Sequence, residues 1–420
     1  MNTISRTIQQ RASRRPAKDL PQLRQQRLAL SLALALGSMA FCGGALAAAA
    51  GGVAATTMPV GGVVVGGVGS ITQSGASTVV NQQSALLALN WQSFNLGKDA
   101  SVLFNQPSHS AIALNRIFDQ NPSQIFGHIN SNGQVFLINT HGIIFGSSAQ
   151  LNVGGLVAST LDLTPDDFLS SHFNLDAHGG SAGIVNHGTI EAASGGSVSL
   201  IGGKVENDGL IVANLGSINL DGADKAVLDF DGDGLVGVQI TGALQRRLSA
   251  DEAAVANKGT LQAEGGTVVL QASAAKDLFT DLVNNSGVID AHGISTDGGV
   301  VRLIGSGGGT VDSGSIDASG VHGGSVQLLS DQNVDVDGSV DASGARGGGS
   351  IRVGGGARGG EGLTQAENTT VGANAVLNVD ATQSGNGGSI AVWSNQTSSI
   401  AGSFSARGGV DGGNGGSIET

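Results

Sequence analysis

Tyrosine is absent from this chain, tryptophan occurs only at Trp91 and Trp393, and the single cysteine is Cys42. A lone thiol closes no intramolecular disulfide and builds no thiolate metal centre. So few aromatic rings leave little for a carbohydrate-cleaving groove to stack sugars on. Basic residues are also scarce: 20 Lys and Arg stand against 33 Asp and Glu, a net charge of −13. That balance argues against nucleic acid or an anionic membrane as partner, because both need basic patches. Proline is held to six residues and there is no Gly-X-Y period, so a collagen-like rod is excluded. Glycine fills the chain instead, 70 of 420 residues, with Val, Ile, Leu and Ala. Small and β-branched residues suit narrow stacked rungs with tight corners.

These residues are periodic. A glycine corner followed by a short alternating strand occurs as GGSVSL (195–200), LGSINL (215–220), GGTVVL (265–270) and GGVVRL (298–303). It continues as GGSVQL (323–328), GGSIRV (348–353), GGSIAV (387–392) and GGSIET (415–420). A second phrase, apolar-x-Ala, precedes most copies: Ile190 to Ala192, Ile211 to Ala213, Leu261 to Ala263, Ile289 to Ala291, Ile316 to Ala318 and Val340 to Ala342. Self-similarity at this period marks a solenoid. The unit is strand, turn, strand without a helical pattern, so an all-β, right-handed parallel β-helix is expected. At 20–25 residues per rung and about 4.8 Å between rungs, the rod should be roughly 70–90 Å long.

The first 47 residues read as a leader. Seven basic residues (Arg6, Arg11, Arg14, Arg15, Lys18, Arg24, Arg27) face one acid, Asp19, before an apolar run from Leu28 to Cys42. Small residues follow at Ala45, Ala47 and Ala48, where cleavage is expected. A basic region, a short apolar core and A-x-A make a secretory signal peptide. The apolar run is too short to span a bilayer, which takes about 20 residues. The mature chain then has 13 basic and 32 acidic residues, a net charge near −19, no cysteine and no integral membrane segment. A chain without thiols stays threadable through a narrow pore.

Residues 58–160 are denser and less repetitive. The pieces Asn90-Trp91-Gln92-Ser93-Phe94-Asn95, Ala113-Leu114-Asn115-Arg116 and Asn132-Gly133-Gln134-Val135-Phe136-Leu137-Ile138-Asn139 occur in order. Gly142-Ile143-Ile144-Phe145-Gly146 and Gly154-Gly155-Leu156-Val157-Ala158 follow. This ordered set resembles the amino-terminal secretion domain of the filamentous-haemagglutinin family, the exported partners of two-partner secretion systems. The resemblance implies an amino-terminal cap, short extra-helical hairpins, and passage of the unfolded chain through a dedicated outer-membrane β-barrel transporter. It also implies a secreted or cell-surface product of a Gram-negative bacterium that crosses the periplasm. Transporter recognition falls by resemblance on Asn115, Arg116, Asn132, Gly133, Asn139, Thr140, His141 and Gly142. Family members usually have Asn-Pro-Asn-Gly where this chain has Asn139-Thr140-His141-Gly142. The residues themselves read as a strand buried on both faces, Val135 to Ile138, then a type I turn and a returning strand, Ile143 to Phe145.

The expected division is a signal peptide at 1–47, the secretion domain at 48–300, and β-helix repeats at 301–420. No catalytic constellation, metal or cofactor is expected. Asp229, Asp231 and Asp233 match the start of a calcium loop, but Ile240 stands where the bidentate Glu belongs, so an acidic turn in an insertion (221–256) is the preferred reading. His172 and His178 near Asp166 and Asp167 form the one histidine-acid cluster considered, and loop histidines are preferred there. Asp290, Asp317, Asp341 and Asp380 stand at the variable position of the second phrase and could stack rung on rung. The expected function is a surface adhesin or adhesin fragment with an unknown host or cell-surface receptor. The alternatives are the stalk of a larger contact-dependent toxin and a β-helical polysaccharide-degrading enzyme. Because GGSIET stops without a polar cap, the chain is expected to be the front part of a longer protein.

Overall fold

The computed structural model describes residues 53–230, 236–249 and 252–420. The expected cleavage residues Ala45, Ala47 and Ala48 lie outside them, as do Asp231 and Asp233 of the acidic turn. The chain winds as a parallel β-helix with three sheet faces of thirteen, ten and thirteen strands. One rung shows the path. Gln134–Ile138 lies on the first face, Ile143–Phe145 on the second and Gln150–Val153 on the third, and Gly155–Ser159 returns to the first. All eight glycine-led phrases enter first-face strands, from Ser197–Gly202 to Ser417–Glu419. The apolar-x-Ala phrases form the third face.

Parallel pairing places equivalent residues over one another. Val198, Ile218, Val268, Val301, Val326, Ile351 and Ile390 form one continuous column. Ile190, Ile211, Leu261, Ile289, Ile316 and Val340 form another. Both columns are buried, and each side chain packs on its own kind above and below. Glycine makes the corners possible. A Cβ on Gly216 would lie 1.8 Å from the carbonyl oxygen of Gly196, and one on Gly324 would lie 2.1 Å from that of Gly299. The rungs approach too closely there for any side chain.

The amino-terminal end is closed by antiparallel strands. Val63–Gly66 pairs antiparallel with Leu86–Trp91, and Gly69–Ser74 forms a hairpin with Ser77–Gln82. Thirteen strands about 4.8 Å apart span roughly 58 Å, shorter than the length expected from sequence. The difference is chain spent outside the rungs. Residues 160–182 and 223–254 leave the stack and contribute the helix Pro165–Leu169 and an antiparallel sheet of Asn174–Asp176, Lys225–Phe230 and Val236–Gly242.

That sheet covers the outside of the first face. Phe136 points outward beneath it and meets Phe168, Phe173 and Phe230 at 6.2, 6.2 and 6.4 Å between ring centres. The strand Val135–Ile138 is therefore buried on both faces, as its unbroken apolar run predicts. Further along, the cover is polar. Asn219 donates to Ser199 Oγ and to the Val236 carbonyl, and Gln271 donates to Asp221 Oδ1 at 2.7 Å and to the Val238 carbonyl.

A ladder of amides runs inside the second-face corner. Asn186 Nδ2 donates to Asn207 Oδ1, Asn207 to Asn257, Asn257 to Asn285, and Asn285 to Asp312, at 2.7–2.9 Å. All five side chains are fully buried. Each amide both gives and accepts, so a stack of identical groups satisfies itself. Asn257→Ala interrupts the ladder at its centre and strands a donor below and an acceptor above. A loss of about 2–4 kcal/mol is expected, at 1–3 kcal/mol per unpaired buried group. Denaturant unfolding of the exported chain measures it.

Two buried acids add a pH dependence. Burial pushes Asp221 up to about 8, with the Gln271 amide opposing only in part, and pushes Asp312 up to about 6. Below pH about 4 both stay protonated folded or unfolded. As pH rises from there, the unfolded chain releases these protons and the folded chain holds them, so stability falls through pH 6 for Asp312 and through pH 8 for Asp221. Asp221→Asn should flatten the upper part of this fall and leave stability near pH 4 little changed. Denaturation midpoints at pH 4, 6 and 8 that stay parallel for variant and parent would contradict it.

Candidate functional site

Strand alternation separates the paired residues Asn115 and Arg116 on Ile112–Ile117. Asn115 points inward and is fully buried. It accepts from Trp91 Nε1 at 3.0 Å and donates to the carbonyls of Ala113 and Phe136. Arg116 points outward and grips Asp162 bidentately, with Nε to Oδ1 at 3.0 Å and Nη2 to Oδ2 at 2.6 Å. Its guanidinium carbon lies 5.2 Å from the ring centre of Phe118, a half-exposed side chain. Planar guanidinium over an aromatic ring and against a carboxylate is a rigid arrangement.

The turn Asn139-Thr140-His141-Gly142 joins the first face to the second. Gly142 N–H donates to the Asn139 carbonyl at 3.0 Å, which closes the expected four-residue turn. His141 N–H donates to Asn139 Oδ1 at 2.9 Å, and Asn139 Nδ2 donates to Ser123 Oγ and the Asn121 carbonyl. Asn139 is thus a buried organiser of the turn. Gly142 sits at φ +119°, where a side chain is strained, and a Cβ there would also crowd Pro122 and Gly183. Thr140 and His141 remain at the surface.

These pieces meet. Arg116, Phe118, Gln120, Ile138, Thr140 and His141 line a cleft of about 240 Å³, with Asp162 at its wall. Asn132 and Gly133 lie elsewhere, at the opposite corner where the third face enters the first. Asn132 exchanges two 2.8 Å hydrogen bonds with the backbone of Gln106, and a Cβ on Gly133 would meet Gln106 and the Ala111 carbonyl. The eight sequence-derived residues therefore divide. Arg116, Thr140 and His141 share a surface; Asn115, Asn139 and Gly142 support it from inside; Asn132 and Gly133 form a separate corner. Phe118 and Asp162 escaped the sequence reading, although Phe118 is an aromatic residue two positions beyond Arg116.

Asp229 lies within the strand Lys225–Phe230 of the covering sheet, one residue before its end. His172 and His178 do not join Asp166 and Asp167: the His172 N–H donates to the Asp167 carbonyl, and the His178 ring lies 3.8 Å from Asp176. Asp290, Asp317 and Asp341 do stack in register, but the next rung offers Asn378, and Asp380 lies two residues further on. A larger cleft of about 440 Å³ on the second face is self-neutralised. Lys204 pairs with Glu206 at 2.9 Å and with Glu252, and Lys258 pairs with Glu206. Burial would raise Glu206, but hydrogen bonds from Lys258 and Lys204 outweigh it and hold the carboxyl below its ordinary range.

Residues 55–316 match the model of the TPS secretion domain family. The chain belongs to this family. The crystal structure of the HMW1 secretion domain from Haemophilus influenzae superposes with a TM-score of 0.75 at 30% identity, over 86% of this chain and 94% of that one. Two proteins of Haemophilus influenzae named heme/hemopexin-binding protein are also similar. One is 37% identical over 109 residues, 26% of this chain and 12% of its own length. The other is 42% identical over 84 residues, 20% of this chain and 9% of its own. The similarity thus spans about a tenth of those two proteins. No helix among the described residues is long and apolar enough to cross a membrane.

The turn offers a test of its departure from the family. The Asn139 side chain and the His141 N–H hold it together, and neither depends on Thr140 or on the His141 ring. Thr140→Pro with His141→Asn restores the residues that family members usually carry at this turn, so secretion should be equal or better, and stability should rise by about 0.4–1 kcal/mol because proline presets φ at the second turn position. Secretion titre and thermal unfolding measure both.

Proposed function

We propose that the chain is a surface adhesin or a fragment of one, secreted by an outer-membrane β-barrel transporter that recognises the cleft between Arg116 and His141. The match to the TPS secretion domain carries this reading. The division into a leader at 1–47, a secretion domain at 48–300 and rod repeats at 301–420 is part of the proposal. The cleft supports it as an ordered surface at the amino-terminal part of the stack, with an exposed aromatic ring, a fixed cation and a turn held from within. Recognition involves Arg116, Thr140 and His141 at the surface. Asn115, Asn132, Gly133, Asn139 and Gly142 act by shaping the two corners.

The route runs through the periplasm to the cell surface of a Gram-negative bacterium. The chain crosses unfolded, and each rung that forms outside docks on the one before it, so folding free energy accrues rung by rung and draws the chain outward. The scarcity of aromatic rings and the absence of a nucleophile motif favour a non-enzymatic product that binds a host or cell-surface receptor. The similarity to heme/hemopexin-binding proteins favours a second reading, capture of a haem carrier, which the same export route would serve.

Secretion with the matching transporter tests the recognition surface. Phe118→Ser removes an exposed ring and leaves the core intact, and Arg116→Gln releases Asp162. Each is expected to lower secretion at least about fivefold and to retain the chain in the periplasm, with the purified protein still folding. Unchanged secretion of both variants would remove the cleft from recognition. Binding of the purified chain to host cells and to hemopexin separates the adhesin from the haem-carrier reading.

A further inference from the structure

Third-face strands end in aspartates that each close a small turn. Asp290 accepts the His292 N–H at 3.2 Å, Asp317 the Ser319 N–H at 2.8 Å, and Asp341 the Ser343 N–H at 2.8 Å. Register sets Asp290 against Asp317, and Asp317 against Asp341. At a rung spacing of about 4.8 Å, like charges stacked this way repel unless something positive lies between them.

One rung differs from the next two. Where they carry Ser319 and Ser343, this one carries His292, and its Nδ1 turns back onto Asp290 Oδ1. Ligand atoms of Asp290, His292 and Asp317 all lie within 4.8 Å of one another on half-buried side chains, and no other such group occurs among the described residues. One imidazole and two carboxylates from stacked rungs therefore converge at this point. The third ligand, Asp317, arrives only when one rung stacks on the next, 25 residues along the chain from His292.

We propose that Asp290, His292 and Asp317 bind a divalent transition-metal ion, best matched by zinc. One imidazole and two carboxylates, with a fourth position open to water, make a zinc-type donor set. Imidazole also favours zinc, copper or nickel over calcium, which prefers oxygen alone. Tetrahedral ligands at about 2.0–2.2 Å from zinc lie roughly 3.3–3.6 Å apart. Side-chain rotation reaches that spacing in two senses: the Asp290–His292 pair, now in direct hydrogen-bond contact, opens to admit the ion, and pairs lying nearer the 4.8 Å limit close. The ion would offset the stacked carboxylates. It would also tie two rungs to the loop 292–299, from which a glycine-rich lobe grows. In that lobe Gly293 N–H donates to the Ser319 carbonyl, Gly320 to Ser343 and Gly344 to Asp380, so the loops stack as the rungs do.

Titration calorimetry of the exported, chelator-treated chain with zinc chloride tests this. One zinc per chain is expected, with affinity at least about tenfold weaker in His292→Ser and in Asp317→Asn. The same affinity as the parent is expected in His322→Ser, whose ring pairs with Asp297 at 2.8 Å in the same lobe. His292→Ser installs the residue that the next two rungs carry. Asp317→Asn keeps its turn, as Asn378 does by accepting the Asp380 N–H, so it decides the matter should the first variant misfold. No binding by the parent at millimolar zinc would overturn the proposal. Equal affinity in parent, His292→Ser and Asp317→Asn, or loss confined to His322→Ser, would also overturn it.

Discussion

Every feature of this protein depends on one constraint: parallel rungs in register force each residue to sit on its own counterpart. The spacing is set by backbone hydrogen bonds and leaves side chains no choice of neighbour. Apolar columns satisfy it by stacking methyl on methyl. Glycine columns satisfy it by having nothing to stack, which is why the corner carbonyls can pass within reach of the next backbone. Asparagine satisfies it because an amide is its own complement, and the ladder from Asn186 to Asn285 uses both halves of each group. Aspartate does not satisfy it. The column of Asp290, Asp317 and Asp341 is where the constraint meets like charge, and where His292, two residues beyond Asp290, turns its ring back onto it.

A stack of this kind has one free surface per face, and the chain treats its faces differently. The first face carries a second layer over its early rungs, built from the helix, the covering sheet and four phenylalanines. Over its later rungs, from Ser325–Ser330 onward, no such sheet is present among the described residues. The layer places Asp162 against Arg116 and so fixes the wall of the cleft beside the Asn139–Gly142 turn. Aromatic residues are few in this chain, and several of them are spent here. The cleft lies within the part of the chain that matches the secretion-domain family, at a boundary between stacked rungs and non-repetitive cover.

The repeat phrases by themselves determined the β-helix, the placement of each glycine-led strand on one face, and the inward columns, because a period-two strand with a fixed corner admits one way to bury its apolar side. The doubly buried strand Val135–Ile138 and the turn after it were legible for the same local reason. The asparagine ladder was also written in the chain, as Asn-x-Gly at 186–188, 207–209, 257–259 and 285–287, though its meaning needs the stack. Tertiary structure alone decided the rest. It sent Asn115 inward and Arg116 outward, turned Asn139 into a buried support, and put Asn132 and Gly133 at the far corner. It also shortened the rod by diverting two insertions into a cover, and brought His292 to two carboxylates. Those outcomes depend on contacts between residues tens of positions apart, and local pattern carries no information about which rung a distant residue will meet.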